Sequence, residues 1–142
     1  MINKKKVIFI CRHNSARSQL AEGLLKSLYG KRYEVFSAGS EPTEVSPYAK
    51  IVMSEIGLEI TNLRSKSIDE FVGSEFDYIV TVCDSLQAFC PAFPGKGEQI
   101  HKSFEDPAAV EGSEDKKLYE FRKSRNEIKS WIIRTFGPNG SR

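Results

Sequence analysis

Cys11 and Arg17 are separated by five residues in the run Cys11-Arg12-His13-Asn14-Ser15-Ala16-Arg17-Ser18. The run follows a short apolar segment, residues 6–10 (KVIFI), and leads into a stretch of helical period. A cysteine at the carboxyl end of a buried strand, just before a helix, lies where backbone N–H groups converge and the helix dipole favours negative charge. That field favours a thiolate over a thiol, and Arg17 adds a permanent positive charge. The planar guanidinium is shaped to hold two oxygens of a tetrahedral anion at once. Ser18 is placed to donate a hydrogen bond to the sulfur. The chemistry this implies is attack by a Cys11 thiolate on a tetrahedral oxyanion cradled by Arg12, His13, Asn14, Ser15, Ala16 and Arg17. Cys-x5-Arg alone arises by chance in roughly one chain in ten of this length, and with the following Ser in roughly one in a hundred. The bland alternative is a buried strand-end cysteine beside a surface arginine; the position between strand and helix argues against it.

The elements that must hold this loop are legible in the pattern. Residues 6–10 read as a strand buried on both faces. From Ala16 onward Leu20, Leu24 and Leu28 share a helical face with Ala21 and Leu25, and Gly30 can end that helix. Residues 33–37 suit a second strand, with Ala38-Gly39 read as a turn. Ser46-Pro47 reads as N-cap and first helical residue, closed by Gly57. Ser67-Ile68-Asp69-Glu70 matches a capping box for a short helix reaching Val72. Residues 77–82 (DYIVTV) form another buried strand running into Cys83, and a weaker fourth lies near residues 99–103. Ser113 can cap a long helix carrying Leu118, Phe121, Ile128, Trp131 and Ile132, which Gly137-Pro138 stops. Strands alternating with helices imply βαβ crossovers and a mainly parallel sheet covered on both sides.

Composition sets the outer bounds. A chain of 142 residues is expected to form one domain, residues 1–142, and to bury roughly two-thirds of its unfolded surface. Twenty-one Lys and Arg against 19 Asp and Glu leave a net charge of +2, which gives no reason to expect nucleic acid or an anionic membrane as partner. The lysines at 4–6 read as a solvated lead-in to the first strand. Apolar runs are strand-sized, too short to span a bilayer, and the N-terminus lacks the apolar core of a secretory signal. A cytoplasmic monomer is expected. Three cysteines in a reducing compartment should rest as thiols, and an odd number does not build a disulfide framework.

Cys11-x5-Arg17-Ser18 after KVIFI resembles the signature loop of the low-molecular-weight protein tyrosine phosphatase superfamily, which also includes the thioredoxin-coupled arsenate reductases. The likeness extends through Gln19-Leu20-Ala21-Glu22-Gly23, Ser37-Ala38-Gly39, residues 80–84 and Asp106-Pro107. It implies a single α/β domain with a four-stranded parallel sheet flanked by helices on both sides. It also implies Asp106 as the general acid that protonates the departing oxygen, a step worth ~10²–10⁴ in rate. Pro107 stiffens that loop and keeps the carboxylate out of a helix.

The remaining cysteines choose between the activities within this resemblance. A phosphatase needs one nucleophilic thiol, whereas a reductase supplies two electrons by turning a dithiol into a disulfide. Cys83 ends a buried strand, so it can approach Cys11, and Cys90 follows seven residues later. If that segment is helical, ~1.5 Å of rise per residue separates the Cα atoms of Cys83 and Cys90 by ~10 Å, against the roughly 4.4–6.8 Å of a disulfide. The segment would have to unwind, which a two-turn helix tolerates. The placement resembles that of the thioredoxin-coupled arsenate reductases and implies a Cys11-Cys83-Cys90 disulfide cascade. Such an enzyme holds no cofactor and draws electrons from thioredoxin or a similar dithiol protein. A zinc site of Cys83, Cys90 and His101 fits less well, since zinc cysteines usually stand two to four residues apart. Pro107 is followed by Ala108-Ala109-Val110 rather than the aromatic residues that clasp a phosphotyrosine ring. The competing readings are a low-molecular-weight phosphatase and a non-catalytic oxyanion binder.

One departure stands out. Some reductases of this family hold potassium behind the loop with residues matching Asn14, Glu22 and Ser37, adding a carboxylate from the stretch matching Arg64-Ser65-Lys66. Here that stretch offers Lys66, whose ammonium can take the cation's place against Glu22 or simply face solvent as an isolated surface charge. No metal is expected, and Asn14 is expected to orient the loop through its amide.

Overall fold

The computed structural model describes residues 4–60, 63–83 and 95–138. Four strands, β1 (Lys5–Cys11), β2 (Tyr33–Gly39), β3 (Tyr78–Thr81) and β4 (Glu98–His101), pair in parallel in the order β2-β1-β3-β4. Three α-helices accompany them among the described residues: α1 (Arg17–Tyr29), α2 (Pro47–Ser54) and α3 (Glu114–Phe136). β1 is central, and the chain leaves it first to β2 on one side and later to β3 on the other. That reversal puts a topological switch point at the carboxyl end of β1, where open α/β sheets bind ligands. Cys11 is the last residue of β1.

Strand alternation sorts the core into two layers. Val7, Phe9 and Cys11 face the helices along with Val35 and Val80, and meet Leu20, Leu24, Ile128 and Phe136. Ile8 and Ile10 face the other side with Ala38, Phe76 and Ile79, beneath Phe36, Ile68 and Phe71. All three α-helices contribute to the first layer. A 3₁₀ turn at Ile68–Phe71 covers part of the second. Phe136 closes the helical side with edge-to-face contacts to Phe9, Tyr33 and Trp131, at centroid distances of 6.2, 5.3 and 5.8 Å. Such pairs add roughly 0.5–1.5 kcal/mol each beyond the apolar area they bury.

The helix boundaries follow their local chemistry. Ser46 accepts a hydrogen bond from the Tyr48 amide and Pro47 opens α2. Gly57 (φ +80°) closes it in a left-handed turn, with Leu58 N–H bonded to the Met53 carbonyl and Gly57 N–H to that of Ser54. Ser113 caps α3 through the Lys116 amide. Two local expectations differ from the structure. Ala38-Gly39 is not a turn but the end of β2, paired in register with Ile10 and Cys11; its small residues let the strand run under the loop. The box at Ser67 forms with one partner shifted. Ser67 accepts from the Asp69 amide, while the Glu70 carboxylate accepts from the Ser67 backbone and also binds Arg64. None of the described helices is long and apolar enough to cross a membrane.

Candidate active site

Between β1 and α1 the chain turns through Arg12–Ala16 with its carbonyls fastened from outside. The Arg12 carbonyl accepts from the Glu41 amide at 2.8 Å, and that of Ser15 accepts from the Ser46 amide at 2.9 Å. The His13 carbonyl accepts from the Thr43 amide and the Ser65 hydroxyl, and that of Asn14 from the Gln19 side chain. A trans peptide sets its N–H opposite its C=O. Four outward carbonyls therefore turn the N–H groups of His13, Asn14, Ser15 and Ala16 toward the hollow of the loop. Gly39 permits this closeness, because a Cβ there would lie 2.6 Å from the Arg12 carbonyl oxygen and 2.9 Å from the Asn14 nitrogen.

Cys11, His13, Ser15, Ala16, Arg17 and Asp106 line the resulting dimple. Cys11 is only 2% exposed, and its Sγ lies 2.8 Å from the Ser18 hydroxyl. The direction of that bond can be deduced. Asn14 Oδ1 accepts from the Lys66 backbone N–H at 2.8 Å, a donor that cannot accept, so the amide orientation is set and Nδ2 must donate to Ser18 Oγ at 2.7 Å. With one lone pair so engaged, the Ser18 proton is free to point to sulfur, and it must do so when Cys11 is a thiolate. Asn14 itself sits in the left-handed region (φ +50°), fully buried, where an Asn side chain compensates the strain by bonding locally.

Arg17 is buried and anchored by the Phe104 carbonyl at 3.2 Å, with its other terminal nitrogen 3.6 Å from an Asp106 carboxylate oxygen. Asp106 caps the 3₁₀ turn Pro107–Ala109 by accepting from the Ala108 amide. One carboxylate oxygen is thus held, and the other is near the guanidinium at the rim of the dimple. The side chains of Arg12 and His13 turn outward instead. Arg12 pairs with the exposed Glu41 carboxylate and His13 Nδ1 meets the Glu41 carbonyl, so His13, like Asn14, offers the hollow only its backbone amide, and Arg12, expected in the cradle, is not among the residues that line it. The Glu41 carboxyl is held below its ordinary range by the hydrogen bond and charge of Arg12.

Cys83 is buried just past β3, its Sγ 3.9 Å from the carbonyl oxygen of Ile10, the residue before Cys11. No disulfide links Cys11 or Cys83. Cys90 lies outside the described residues. Beside the dimple opens a hollow of about 540 Å³ reached past Ser15 and lined in part by Tyr48, Pro107, Ala108 and Val110. The residues after Asp-Pro are small, as read from the sequence, but Tyr48 supplies an aromatic side chain there that sequence reasoning passed over. Gln19 was also missed as a site residue. Its amide nitrogen ties the Asn14 carbonyl to that of Arg64. Its place next to Leu20, at the edge of the apolar stripe of α1, was the signal the sequence offered.

Behind the loop lies a buried polar chain. Glu22 Oε1 accepts from the Ser37 hydroxyl, and Ser37 Oγ accepts from Asn14 Nδ2 at 2.9 Å. Lys66 Nζ lies 3.5 Å from Glu22 Oε1 and donates to the Arg64 carbonyl at 2.7 Å. Burial lowers the proton affinity of Lys66, opposed by the Glu22 charge. This donor set does not suit a potassium ion. Both lone pairs of Asn14 Oδ1 are taken by Gln19 and Lys66 N–H, and an ammonium already stands at Glu22.

Fold and loop together define a class: parallel α/β proteins with a cysteine-headed oxyanion loop at the switch point of the sheet. The chain belongs to the low molecular weight phosphotyrosine protein phosphatase family, whose model matches residues 6–134. An arsenate reductase of Halalkalibacterium halodurans is 41% identical over 139 residues, 98% of this chain and 99% of its own length. The solved arsenate reductase of Archaeoglobus fulgidus superposes with a TM-score of 0.71 at 30% identity, covering 89% of this chain and 98% of that one. A thioredoxin-dependent arsenate reductase of Corynebacterium glutamicum has a TM-score of 0.62 at 30% identity, over 91% of this chain and 62% of that longer one.

Proposed function

We propose that the chain reduces arsenate to arsenite, with Cys11 as nucleophile and electrons drawn through Cys83 and Cys90 from a thioredoxin-type dithiol protein. The observation that carries this reading is the placement of Cys83, buried against the residue that precedes the nucleophile. A phosphatase has no use for a second thiol there. The likeness to arsenate reductases along nearly the whole chain supports it.

The arsenate oxygens sit against the inward amides of residues 13–16 and the Arg17 guanidinium. The Cys11 thiolate attacks arsenic, and Asp106 protonates the departing hydroxide, which leaves as water. The Cys83 thiolate then attacks the Cys11 sulfur. The electron pair of the sulfur–arsenic bond passes to arsenic, arsenic(V) becomes arsenic(III), arsenite leaves, and a Cys11–Cys83 disulfide remains. Cys90 attacks Cys83 and frees Cys11. The Cys83–Cys90 disulfide is reduced by the dithiol partner. No bound cofactor enters, and the enzyme works as a cytoplasmic monomer.

The test is arsenate-dependent NADPH oxidation with thioredoxin and thioredoxin reductase. Turnover that vanishes in both Cys83→Ser and Cys90→Ser supports the cascade; turnover indifferent to both changes rejects it. The hollow beside the dimple favours a second, residual activity on phosphomonoesters with an apolar group. Slow hydrolysis of p-nitrophenyl phosphate that survives Cys83→Ser is its signature. A non-catalytic binder would turn over neither compound, while sulfate would still protect Cys11 from alkylation.

A further inference from the structure

The stretch 64–67 acts as a strap behind the loop, and its bonds are specific. The Lys66 amide donates to Asn14 Oδ1, the Lys66 carbonyl accepts from the Gly39 amide, and the Ser65 hydroxyl donates to the His13 carbonyl. The Lys66 side chain enters from this strap and reaches the carboxylate of Glu22, itself only 3% exposed. From Glu22 the hydrogen bonds run without a gap through Ser37, Asn14 and Ser18 to the Cys11 sulfur. A buried carboxylate without a cation is costly, and one lost partner in such a chain misaligns the rest.

We propose that Lys66 is a positioning residue for the nucleophile: its ammonium serves as a built-in cation for Glu22, keeps the chain from Glu22 to Ser18 aligned on Cys11, and leaves the loop with no need of a bound monovalent ion. Other charges face the same carboxylate. Lys26 Nζ binds its second oxygen at 2.9 Å, but Lys26 is half exposed and its ion pair is open to water. Arg64 turns outward to Glu70 and leaves only its carbonyl to Lys66. Among the charged side chains of the described residues, Lys66 alone meets the oxygen that also receives Ser37. The inference rests on Cys11 being the nucleophile but not on which oxyanion it attacks, so its test reads the thiol directly.

The experiment follows the rate of Cys11 alkylation by iodoacetamide against pH, in Cys83→Ser/Cys90→Ser protein so that one thiol reports. Melting temperature is measured in potassium and in lithium chloride at matched ionic strength. With Lys66 present, both measurements should be indifferent to the choice of cation. Lys66→Met should displace the alkylation profile upward by about one pH unit, roughly a tenfold loss of rate on the acid limb of the profile, and potassium but not lithium should restore part of it. Lys66→Arg should retain most of the reactivity. An unchanged profile in Lys66→Met overturns the proposal, and so does clear stabilisation of the Lys66 protein by potassium. If Lys66→Met does not fold, the double variant Lys66→Met/Glu22→Gln decides. Removing both charges should restore a folded protein with no potassium response; failure of that variant to fold shows that Lys66 does something other than neutralise Glu22, and the proposal falls.

Discussion

The two cysteine-bearing strand ends of this sheet are built to opposite specifications. After β1 the chain spends five residues on a loop that has four carbonyls fastened outward, a fully buried side-chain amide, and a serine hydroxyl set against the cysteine sulfur. After β3 the chain reaches Cys83 with a backbone tie from Val82 N–H to the Ile10 carbonyl and no comparable cradle among the described residues. The first end is pre-organised for a fixed anion, where donors aimed in advance cost no rearrangement during reaction. On the proposed cascade the second must instead release a thiol that travels, because a disulfide cannot form and then migrate between rigid partners. On that reading one sheet serves a fixed charge at one strand end and a moving thiol at the other.

The largest expected effects test this division. Cys11→Ser should abolish turnover of arsenate and of p-nitrophenyl phosphate alike, by ~10⁴-fold or more, since it removes the group on which the other residues act. Cys83→Ser should abolish catalytic arsenate reduction to the same extent yet spare p-nitrophenyl phosphate hydrolysis. If both activities fall together in Cys83→Ser, the second strand end is part of the cradle and the contrast is wrong. Next in size is Asp106→Asn, which should lower kcat for both substrates by ~10²–10³ with a smaller change in KM, measured by steady-state kinetics. Because Asn retains the cap on Ala108 N–H, a fall in melting temperature instead of kcat would make Asp106 a structural residue.

How much of this was readable beforehand depends on whether the signal is local. The nucleophile loop was, because a strand, a polar turn and a helix start each leave their own mark within 20 consecutive residues. The caps at Ser46-Pro47 and Ser113 were legible for the same reason. Ala38-Gly39 was misread as a turn because small residues favour one locally; what makes them strand is the approach of the Arg12 carbonyl, a contact 27 positions away in the chain. The strap at 64–67 and the reach of Gln19 across to Arg64 are likewise tertiary, and no periodicity in those segments announces them. Lys66 drew attention only by departing from a family pattern, which also pointed to Glu22 as its partner, while its backbone bonds to Asn14 and Gly39 required the fold. The inward turn of the amides was expected from the helix start, while the outward turn of the Arg12 and His13 side chains toward Glu41 was not.

A smaller effect sharpens the rigid side of the comparison. Gly39→Ala places a methyl against three backbone atoms of the loop, none of which belongs to a side chain that could swing away. It should destabilise the protein by roughly 1–3 kcal/mol in chemical denaturation and lower turnover of both substrates together. A stability loss with unchanged turnover would show that the loop can shift without penalty, and that its pre-organisation is overstated.

The smallest effect belongs to a region remote from either cysteine, where pH should act on stability alone. Glu55, just after α2, is gripped by Arg122 through both oxygens and by Arg125, both from α3. These bonds, Arg122 foremost, hold its carboxyl below the ordinary 4.5. A carboxyl depressed in the folded state binds fewer protons there than in the unfolded chain. Its stabilisation is therefore complete above pH 4.5 and fades as pH falls through the folded-state value. Glu55→Gln should cost on the order of 1 kcal/mol or less at neutral pH, since the clamp is partly solvated, and the difference from the Glu55 protein should shrink in urea titrations taken below pH 4.5. Arsenate turnover at neutral pH should be untouched. A variant that lost activity in step with that small loss of stability would mean that the α2–α3 contact steers the loop through the Ser46–Ser15 bond, and rigidity at the first strand end would then be a property of the whole helical layer.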